Sequence, residues 1–246
     1  MISSNHTIGA VEPHHRSKCL DPVDVLDGVF FYRELPVHVN KQADLLAYLK
    51  QLALEIIGSI PTDAIQVYTD SSRDDYYRSG CGIYIKSQDH ILTIQRRKSR
   101  QFSVFRSELI AIDEALGSLA SLPTGKDICI LSDSRSAIQH LSNWQSVRGN
   151  VGVSILTKLK RLSTSHQIHL QCIPFPIDLE GNEIADTLAK AGACEVPEPS
   201  ASLTFLEMFS RTKHQNKAAW ITPPRVPLIS VLSSWRFSGS RFYKTE

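Results

Sequence analysis

Hydrophobic residues recur at helical spacing in the first regular stretch of the chain. Within residues 41–58, apolar side chains lie three or four positions apart, which places them on one face of a helix. They are Leu45, Leu46, Leu49, Leu52 and Ile56. Gly58 and Pro61 end the pattern. The sequence therefore predicts a lead-in over residues 1–60 that contains one helix, at about 41–58.

From Ala64 the hydrophobic period shortens from that of a helix to that of a strand. The stretches AIQVYT, CGIYIK and HILTIQ predict three successive strands. A short turn at residues 87–89 joins the last two strands into a hairpin. Neighbours connected in this way pair antiparallel, so the sheet is predicted to begin with a three-strand meander.

Helical and strand patterns then follow one another to about residue 195. Ser103 can cap a helix with the apolar stripe Phe105, Leu109, Ile112, Leu116 and Leu119. The strand DICILS is apolar on both faces, as in a sheet covered on both sides. Helices at 134–144 and 151–162, a fifth strand IHLQCI and a helix at 180–193 complete the pattern. The predicted fold is α/β, with a five-stranded mixed sheet of meander plus parallel strands, flanked by helices, over residues 61–195.

Past residue 195 the composition shifts towards Pro, Ser and basic residues, and the aromatic residues have no regular spacing. This predicts a basic, irregular tail over residues 196–246. Its basic and aromatic residues are the kinds that bind single-stranded nucleic acid, and a disordered tail is the alternative. They include Arg211, Lys213, Lys217 and Lys244, interleaved with Phe209, Trp220 and Tyr243.

Composition and charge exclude several classes of protein. Lys and Arg total 27 against 25 Asp and Glu, so any nucleic-acid surface has to be local. The five cysteines include no C-x-x-C pair, which argues against a disulfide framework or a zinc ribbon and for reduced thiols in an intracellular protein. The sequence shows neither a signal-peptide pattern nor an apolar run of membrane-spanning length, so we expect no membrane partner.

Four acidic residues are placed to meet at one edge of the predicted sheet. Asp70 ends the first strand and Asp133 ends the buried fourth strand, beside the crevice where α/β proteins hold ligands. Glu108 lies one turn inside the helix after Ser103, and Asp186 lies on the last helix. Taken singly, Asp70 fits a turn, Asp133 a helix N-cap and Asp186 a solvated helix face. Together they would repel one another, and divalent cations with oxygen ligands remove that cost.

The motifs YTDSS, SELIAIDEAL, LSDSRSAI and LEGNEIADTLAK, in this order and with these gaps, resemble type 1 ribonuclease H. The form is the one found at the end of non-LTR retrotransposon reverse transcriptase polyproteins, and the likeness covers residues 64–193. It implies a ribonuclease H-like fold and a metal-dependent endonuclease that hydrolyses the RNA strand of RNA/DNA hybrids. It further implies two Mg²⁺ ions, with Mn²⁺ as a substitute, on the catalytic residues Asp70, Glu108, Asp133 and Asp186.

The resemblance also implies where the hybrid binds. A basic loop leads into the helix that carries Glu108, so it is expected to flank the metal site and hold phosphates. A solvated hairpin end is the alternative for this loop. The expected nucleic-acid-binding residues are Ser71, Ser72, Arg96, Arg97, Lys98 and Arg100.

Two positions depart from the family pattern. Ser71 replaces the glycine of the usual TDGS motif, and Pro176 stands where family members carry a histidine that assists proton transfer or product release. Because proline has no titratable group, the resemblance implies slow turnover. The alternative is an inactive, retrotransposon-derived remnant that binds hybrids. A DNA-cutting integrase or transposase is a further alternative, against which the order of Glu108 before Asp133 argues.

The chain also carries no polymerase motif of the YADD kind. It therefore resembles a detached piece of a longer element, and a reverse transcriptase encoded elsewhere in that element is an expected partner. The sequence leaves the oligomeric state and the choice between cytoplasm and nucleus open.

Overall fold

The computed structural model describes residues 26–37, 45–73, 79–88, 90–98, 102–120, 125–174, 177–194 and 204–221. Six strands run through these residues: β1 (Val29–Tyr32), β2 (Ile65–Arg73), β3 (Ser79–Lys86), β4 (Ile91–Lys98), β5 (Ile128–Ser132) and β6 (Ile168–Cys172). The same residues form six α-helices: α1 (Leu46–Gly58), α2 (Val104–Leu119), α3 (Arg135–Ser142), α4 (Asn150–Leu162), α5 (Glu180–Cys194) and α6 (Phe205–Ile221). Among the described helices, none is both long and apolar enough to span a membrane.

The strands form one mixed sheet in the order β1-β6-β5-β2-β3-β4. The β2, β3 and β4 strands pair antiparallel, which confirms the predicted meander. The β5 strand pairs parallel with both β2 and β6, and β6 pairs parallel with β1. The α/β fold with a mixed sheet and flanking helices is thus confirmed.

Three local predictions need correction. The sheet has six strands rather than five, because β1 joins its edge beside β6. The third meander strand runs on to Lys98, so the first part of the predicted basic loop belongs to β4. A helix, α6, occupies Phe205–Ile221 inside the segment predicted to be irregular. Among the α6 side chains that the structure describes, four large apolar ones are exposed: Phe205, Leu206, Phe209 and Trp220.

Helices cover both faces of the sheet. The larger hydrophobic cluster joins the sheet to α2, α3 and α4 and includes Ile128 and Ile130. A second cluster on the other face joins the sheet to α1 and α5 and includes Leu131. The β5 strand therefore buries apolar side chains on both sides, as its sequence predicts. The chain divides into two units, Met1–Glu207 and Met208–Glu246, and the sites below lie in the first.

Candidate active site

Two carboxylates emerge side by side at one edge of the sheet. Thr69 in β2 lies opposite Ser132 in the parallel strand β5, and the next residues are Asp70 and Asp133. This parallel register brings the two acidic residues together, although β2 runs on to Arg73 along β3, so Asp70 does not end the strand as predicted. The strand pairing thus produces the arrangement that the sequence predicts for this pair.

The third carboxylate reaches the same place from a helix. Ser103 caps α2, since its hydroxyl accepts a hydrogen bond from the backbone N–H of Arg106 at 3.2 Å. Glu108 follows in the next turn and is buried. One carboxylate oxygen from each of three residues lies within 4.8 Å of the others: Asp70, Glu108 and Asp133.

Ser71 holds part of this cluster in place. Its hydroxyl donates to Glu108 Oε1 at 2.6 Å, and its backbone N–H donates to Asp70 Oδ1 at 2.6 Å. Ser71 lies inside β2 and pairs with Cys81 in β3. The backbone is therefore extended at this position, and the serine that replaces the usual glycine needs no left-handed conformation.

Burial and mutual repulsion disfavour the charged forms of these carboxyl groups. Burial, followed by the charge of Asp133, raises the pKa of Asp70 to about 7, although a hydrogen bond from Ser71 opposes the shift. Burial also raises the pKa of Glu108 well above its ordinary value, against the same serine hydrogen bond. The two side chains are only 6% and 5% exposed. Without a cation, the site therefore favours the protonated, uncharged forms of these two groups more strongly than an exposed position would.

The donor atoms fit a hard divalent cation. The second oxygen of Glu108, Oε2, is buried and has no hydrogen-bond partner among the described residues. An ion bound by the three carboxylates would occupy that lone pair and offset the repulsion that raises the pKa of Asp70. All three ligands are carboxylate oxygens, which Mg²⁺, Ca²⁺ and Mn²⁺ prefer over softer metals.

Asp186 stands slightly apart from this cluster. It lies on α5, where its carboxylate binds the Lys190 ammonium one helical turn later, at 2.5 Å. Its charge still contributes to the raised pKa of Asp70, so it lies near the site. Of the four predicted metal ligands, three therefore meet within 4.8 Å in the described part of the chain. Asp186 adjoins them with a lysine as its counter-ion.

Comparison with known families decides the relationship. The RNase H family model matches residues 62–194, which is just over half of the chain. The chain belongs to the RNase H family. The match runs from the residues before β2 to the end of α5 and leaves β1, α1 and α6 outside the RNase H core.

Two solved structures resemble the RNase H domain at low identity. RNase H1 from the halophilic archaeon Halobacterium salinarum NRC-1 is 20% identical, with 52% of this chain and 96% of that chain covered and a TM-score of 0.42. The N-terminal RNase H domain of rv2228c from Mycobacterium tuberculosis, solved as a fusion with maltose-binding protein, is 16% identical. Its match covers 55% of this chain and 94% of that chain, with a TM-score of 0.43. A search of curated proteins found no match.

The predicted nucleic-acid contacts of the RNase H domain lie in three different settings. Ser71 is bound to Glu108, and Ser72 pairs with Gly80 further along β2. Arg96 is exposed on β4, while Arg97 and Lys98 continue the same strand. The last predicted nucleic-acid contact, Arg100, lies outside the described residues. So does Pro176, the residue at the position of the family histidine.

Two features of this RNase H site were not anticipated from the sequence. The hydrogen bond from Ser71 to Glu108 joins residues 37 positions apart, and no local pattern predicts it. The Lys190 counter-ion of Asp186 does have a local signal, because residues four apart on a helix face the same way. The motif IADTLAK already contains that spacing.

Proposed function

We propose that this chain is a metal-dependent endonuclease that hydrolyses the RNA strand of RNA/DNA hybrids. The observation that carries the proposal is the cluster of the buried Asp70 and Glu108 with the half-buried Asp133, with oxygens within 4.8 Å of one another, on an RNase H-family domain. Buried carboxylates this close serve poorly as structural groups, since each disfavours the ionisation of the others. They serve well as a cation site.

The cofactor we propose is a pair of Mg²⁺ ions, with Mn²⁺ as a substitute. The three clustered carboxylates and Asp186 would hold them. When bound, such ions supply an acidified water for attack on the phosphodiester and charge stabilisation for the departing 3′ oxygen.

The protein's own contribution is to orient and shield these groups. Ser71 fixes the position of Glu108 through its hydroxyl and that of Asp70 through its backbone N–H. Lys190 holds Asp186 beside the cluster. The burial of Asp70 and Glu108 keeps bulk water away from them, which strengthens every electrostatic interaction there. We assign nucleic-acid contacts to Ser72, and to Arg96, Arg97, Lys98 and Arg100.

Pro176 supports a slow enzyme. It occupies the position of the histidine that the resemblance implies, and it can neither accept nor donate a proton. An inactive domain that binds hybrids is the second candidate, and the same residue favours it. We further propose that residues 61–195 form the catalytic domain and that the chain derives from a non-LTR retrotransposon, with a reverse transcriptase of the same element as its partner.

The test is incubation of the purified chain with an RNA/DNA hybrid labelled on the RNA strand, in Mg²⁺. We expect internal cuts in the RNA strand, none in the DNA strand, and none in the presence of EDTA. A DNA duplex of the same sequence serves as the matched substrate control. Binding of the hybrid without cleavage in either Mg²⁺ or Mn²⁺ would select the inactive binding domain instead.

A further inference from the structure

A cleft of about 400 Å³ opens beside Asp133. Part of its lining comes from the RNase H core, through Arg135 and the residues that end β6. The rest comes from Arg33–Val37, the segment that follows β1. This segment precedes the family match at 62–194, so the cleft combines the family's core with a feature of this chain.

Strand pairing fixes the added segment at the site. The β1 strand runs parallel to β6, with Tyr32 opposite Gln171. Both strands therefore end at the sheet edge where Asp133 follows β5. Val29 and Phe31 pack against the main hydrophobic cluster and anchor the strand. The pairing of β1 with β6 thus places the residues that follow β1 at the cleft.

Two guanidinium groups in this cleft converge on one oxygen atom. Arg33 Nε lies 4.0 Å from Glu34 Oε1, and Arg135 Nη2 lies 3.6 Å from the same atom. The side chains of Arg33, Glu34 and Arg135 are 50%, 65% and 64% exposed. Ion pairs with this exposure contribute little to stability, so the carboxylate is easily displaced. Guanidinium groups bind phosphate with the same fork geometry that they use for carboxylate.

We propose that Arg33 and Arg135 form a subsite for a backbone phosphate of the hybrid strand that lies at Asp133, and that Glu34 occupies this subsite when nucleic acid is absent. The inference rests on the proposed function, because it takes the hybrid as the ligand. Glu34 is an internal competitor of the phosphate. The free energy needed to displace Glu34 lowers the affinity of the chain for hybrids. Once Glu34 is displaced, the two arginines contact the nucleic-acid backbone next to the carboxylates.

The test compares variants at these exposed positions, where substitution leaves the core untouched. Affinity for a labelled RNA/DNA hybrid is measured in EDTA, which prevents cleavage, by fluorescence anisotropy over a range of salt concentrations. We expect Glu34→Gln to tighten binding about threefold to fivefold, the range that an exposed ion pair allows. We also expect a steeper salt dependence, by up to about 0.9 in the log–log slope, because the freed arginines release more counterions.

Matched controls separate the subsite from a general charge effect. Asp178→Asn removes the same charge from another exposed ion pair, with Lys50 at 3.0 Å, and we expect less than about a 1.5-fold change because Asp178 does not line the cleft and exposed charges are screened by salt. Arg135→Gln should weaken binding, and the gain from Glu34→Gln should shrink in the Arg135→Gln background, where only Arg33 remains to be freed. Equal effects of Glu34→Gln and Asp178→Asn, or an undiminished gain from Glu34→Gln without Arg135, would overturn the subsite.

Cleavage of the hybrid by the parent chain in Mg²⁺ is measured separately, so the two proposals fail in different ways. A parent chain that cleaves, with Glu34→Gln and Asp178→Asn indistinguishable in binding, refutes the subsite and leaves the nuclease standing. A parent chain that does not cleave, with the expected binding changes at Glu34 and Arg135, refutes the nuclease and supports the subsite.

Discussion

Asp70 and Glu108 show at the residue scale what distinguishes this site from ordinary surface carboxylates. Both are almost fully buried, and burial is the largest cause of the raised pKa of each. Asp133 adds a like charge to both. A cation bound there would relieve this repulsion, so its binding would be coupled to the folding of the site.

Asp133→Asn tests the cluster directly. The change removes a ligand charge without altering the volume of the side chain, so we expect the fold to persist. We predict that hybrid cleavage falls by about a hundredfold or more, since charge stabilisation by metal ions contributes several kcal/mol to the transition state. The rise in melting temperature on adding Mg²⁺ should shrink as well. Cleavage at the parent rate, with matched circular dichroism, would show that Asp133 is no ligand.

Pro176→His tests the slow-turnover proposal. A histidine at this position restores a group that can transfer a proton, which typically contributes about 10²- to 10⁴-fold to rate. We predict acceleration of hybrid cleavage by at least about tenfold, with little change in hybrid affinity. Single-turnover kinetics and a separate binding isotherm distinguish the two quantities. A parent chain that is already fast, or a variant with an unchanged rate, would make the missing histidine irrelevant.

At the scale of elements, the position of Asp186 depends on how closely α5 packs against β3. Gly82 lies under this helix, and a Cβ atom there would come within 2.5 Å of the Ala189 backbone nitrogen and closer still to the Ala185 carbonyl oxygen. Gly80 meets the next turn of the helix in the same way. Glycine at these two strand positions therefore allows backbone-to-backbone contact that no other residue permits.

Gly82→Ala should disturb this contact. The added methyl group meets helix backbone rather than a flexible side chain, so α5 has to move away. We predict a loss of about 1 to 3 kcal/mol in the free energy of unfolding, with reduced cleavage because Asp186 moves with the helix. The control is Gly58→Ala at the end of α1, where a Cβ atom meets nothing within 4 Å. That change should raise the free energy of unfolding, measured in urea, by about 0.5 to 1 kcal/mol. Equal effects would refute the packing argument.

A second contact between elements supports α2 from outside the family match. Glu207, at the start of α6, accepts a hydrogen bond from the Ser103 backbone N–H at 3.0 Å and binds Arg106 Nη1 at 2.8 Å. The two ionic side chains are only 13% and 8% exposed. Arg106 also lies 4.2 Å from the centroid of the Phe102 ring. These contacts surround the capping turn of the helix that carries Glu108.

Glu207→Gln should destabilise the chain, because it removes the negative charge that pairs with the largely buried Arg106 guanidinium. We predict a loss of about 2 to 4 kcal/mol in unfolding free energy at neutral pH. Asp178→Asn, which disrupts an exposed ion pair with Lys50, should change stability little. Chemical denaturation of the parent and both variants provides the measurement. A Glu207→Gln chain as stable as the parent would mean that this ion pair contributes nothing.

The contact between Glu207 and Arg106 makes the stability of the chain depend on pH in a defined direction. Burial alone would raise the pKa of Glu207, but hydrogen bonds from the Ser103 and Thr204 backbone and the charge of Arg106 outweigh it and lower the pKa below 4.5. A lowered carboxyl pKa gives stability that is present above the unfolded value and is lost as the pH falls through the folded value. The difference in free energy of unfolding between the parent and Glu207→Gln should therefore shrink below pH 4.5, as chemical denaturation at a series of pH values would show.

For the whole molecule, a net charge of +2 leaves little general attraction for nucleic acid. Any binding of an RNA/DNA hybrid therefore has to rest on basic side chains that lie near the acidic cluster. Arg96 on β4 and the pair of Arg33 and Arg135 at the cleft are two such groups within the described residues. Each should appear as a separate contribution to the salt dependence of binding.

Reversing Arg96 and Arg97 to Glu tests the β4 contribution. We predict weaker hybrid binding and a log–log salt slope flatter by about 1 to 2, since up to two phosphate contacts are lost. The matched control reverses Lys160 and Arg161, in the last turn of α4, at the opposite sheet edge where β6 begins. It makes the same charge change away from the carboxylates. Identical salt slopes for the two double variants would leave β4 as a solvated strand.

The sequence by itself determines most of the elements and the main part of the site. Alternating apolar residues predict the meander, and the stripe from Leu109 to Leu119 together with the Ser103 cap predicts α2. The positions of Asp70 and Asp133 after two apolar, strand-forming runs already imply that the two meet. These features follow from short-range periodicity and capping chemistry, which the order of neighbouring residues fixes.

Only the tertiary structure decides which distant segments become neighbours. The β1 strand has four residues and no strong pattern, and it exists because β6, far along the chain, offers an open edge. The bonds from Ser71 to Glu108 and from Arg106 to Glu207 join residues 37 and 101 positions apart. The convergence of Arg33 and Arg135 on Glu34 likewise depends on the packing of β1 beside β6. Such contacts arise from the three-dimensional path of the backbone, and no local pattern of residue types encodes that path.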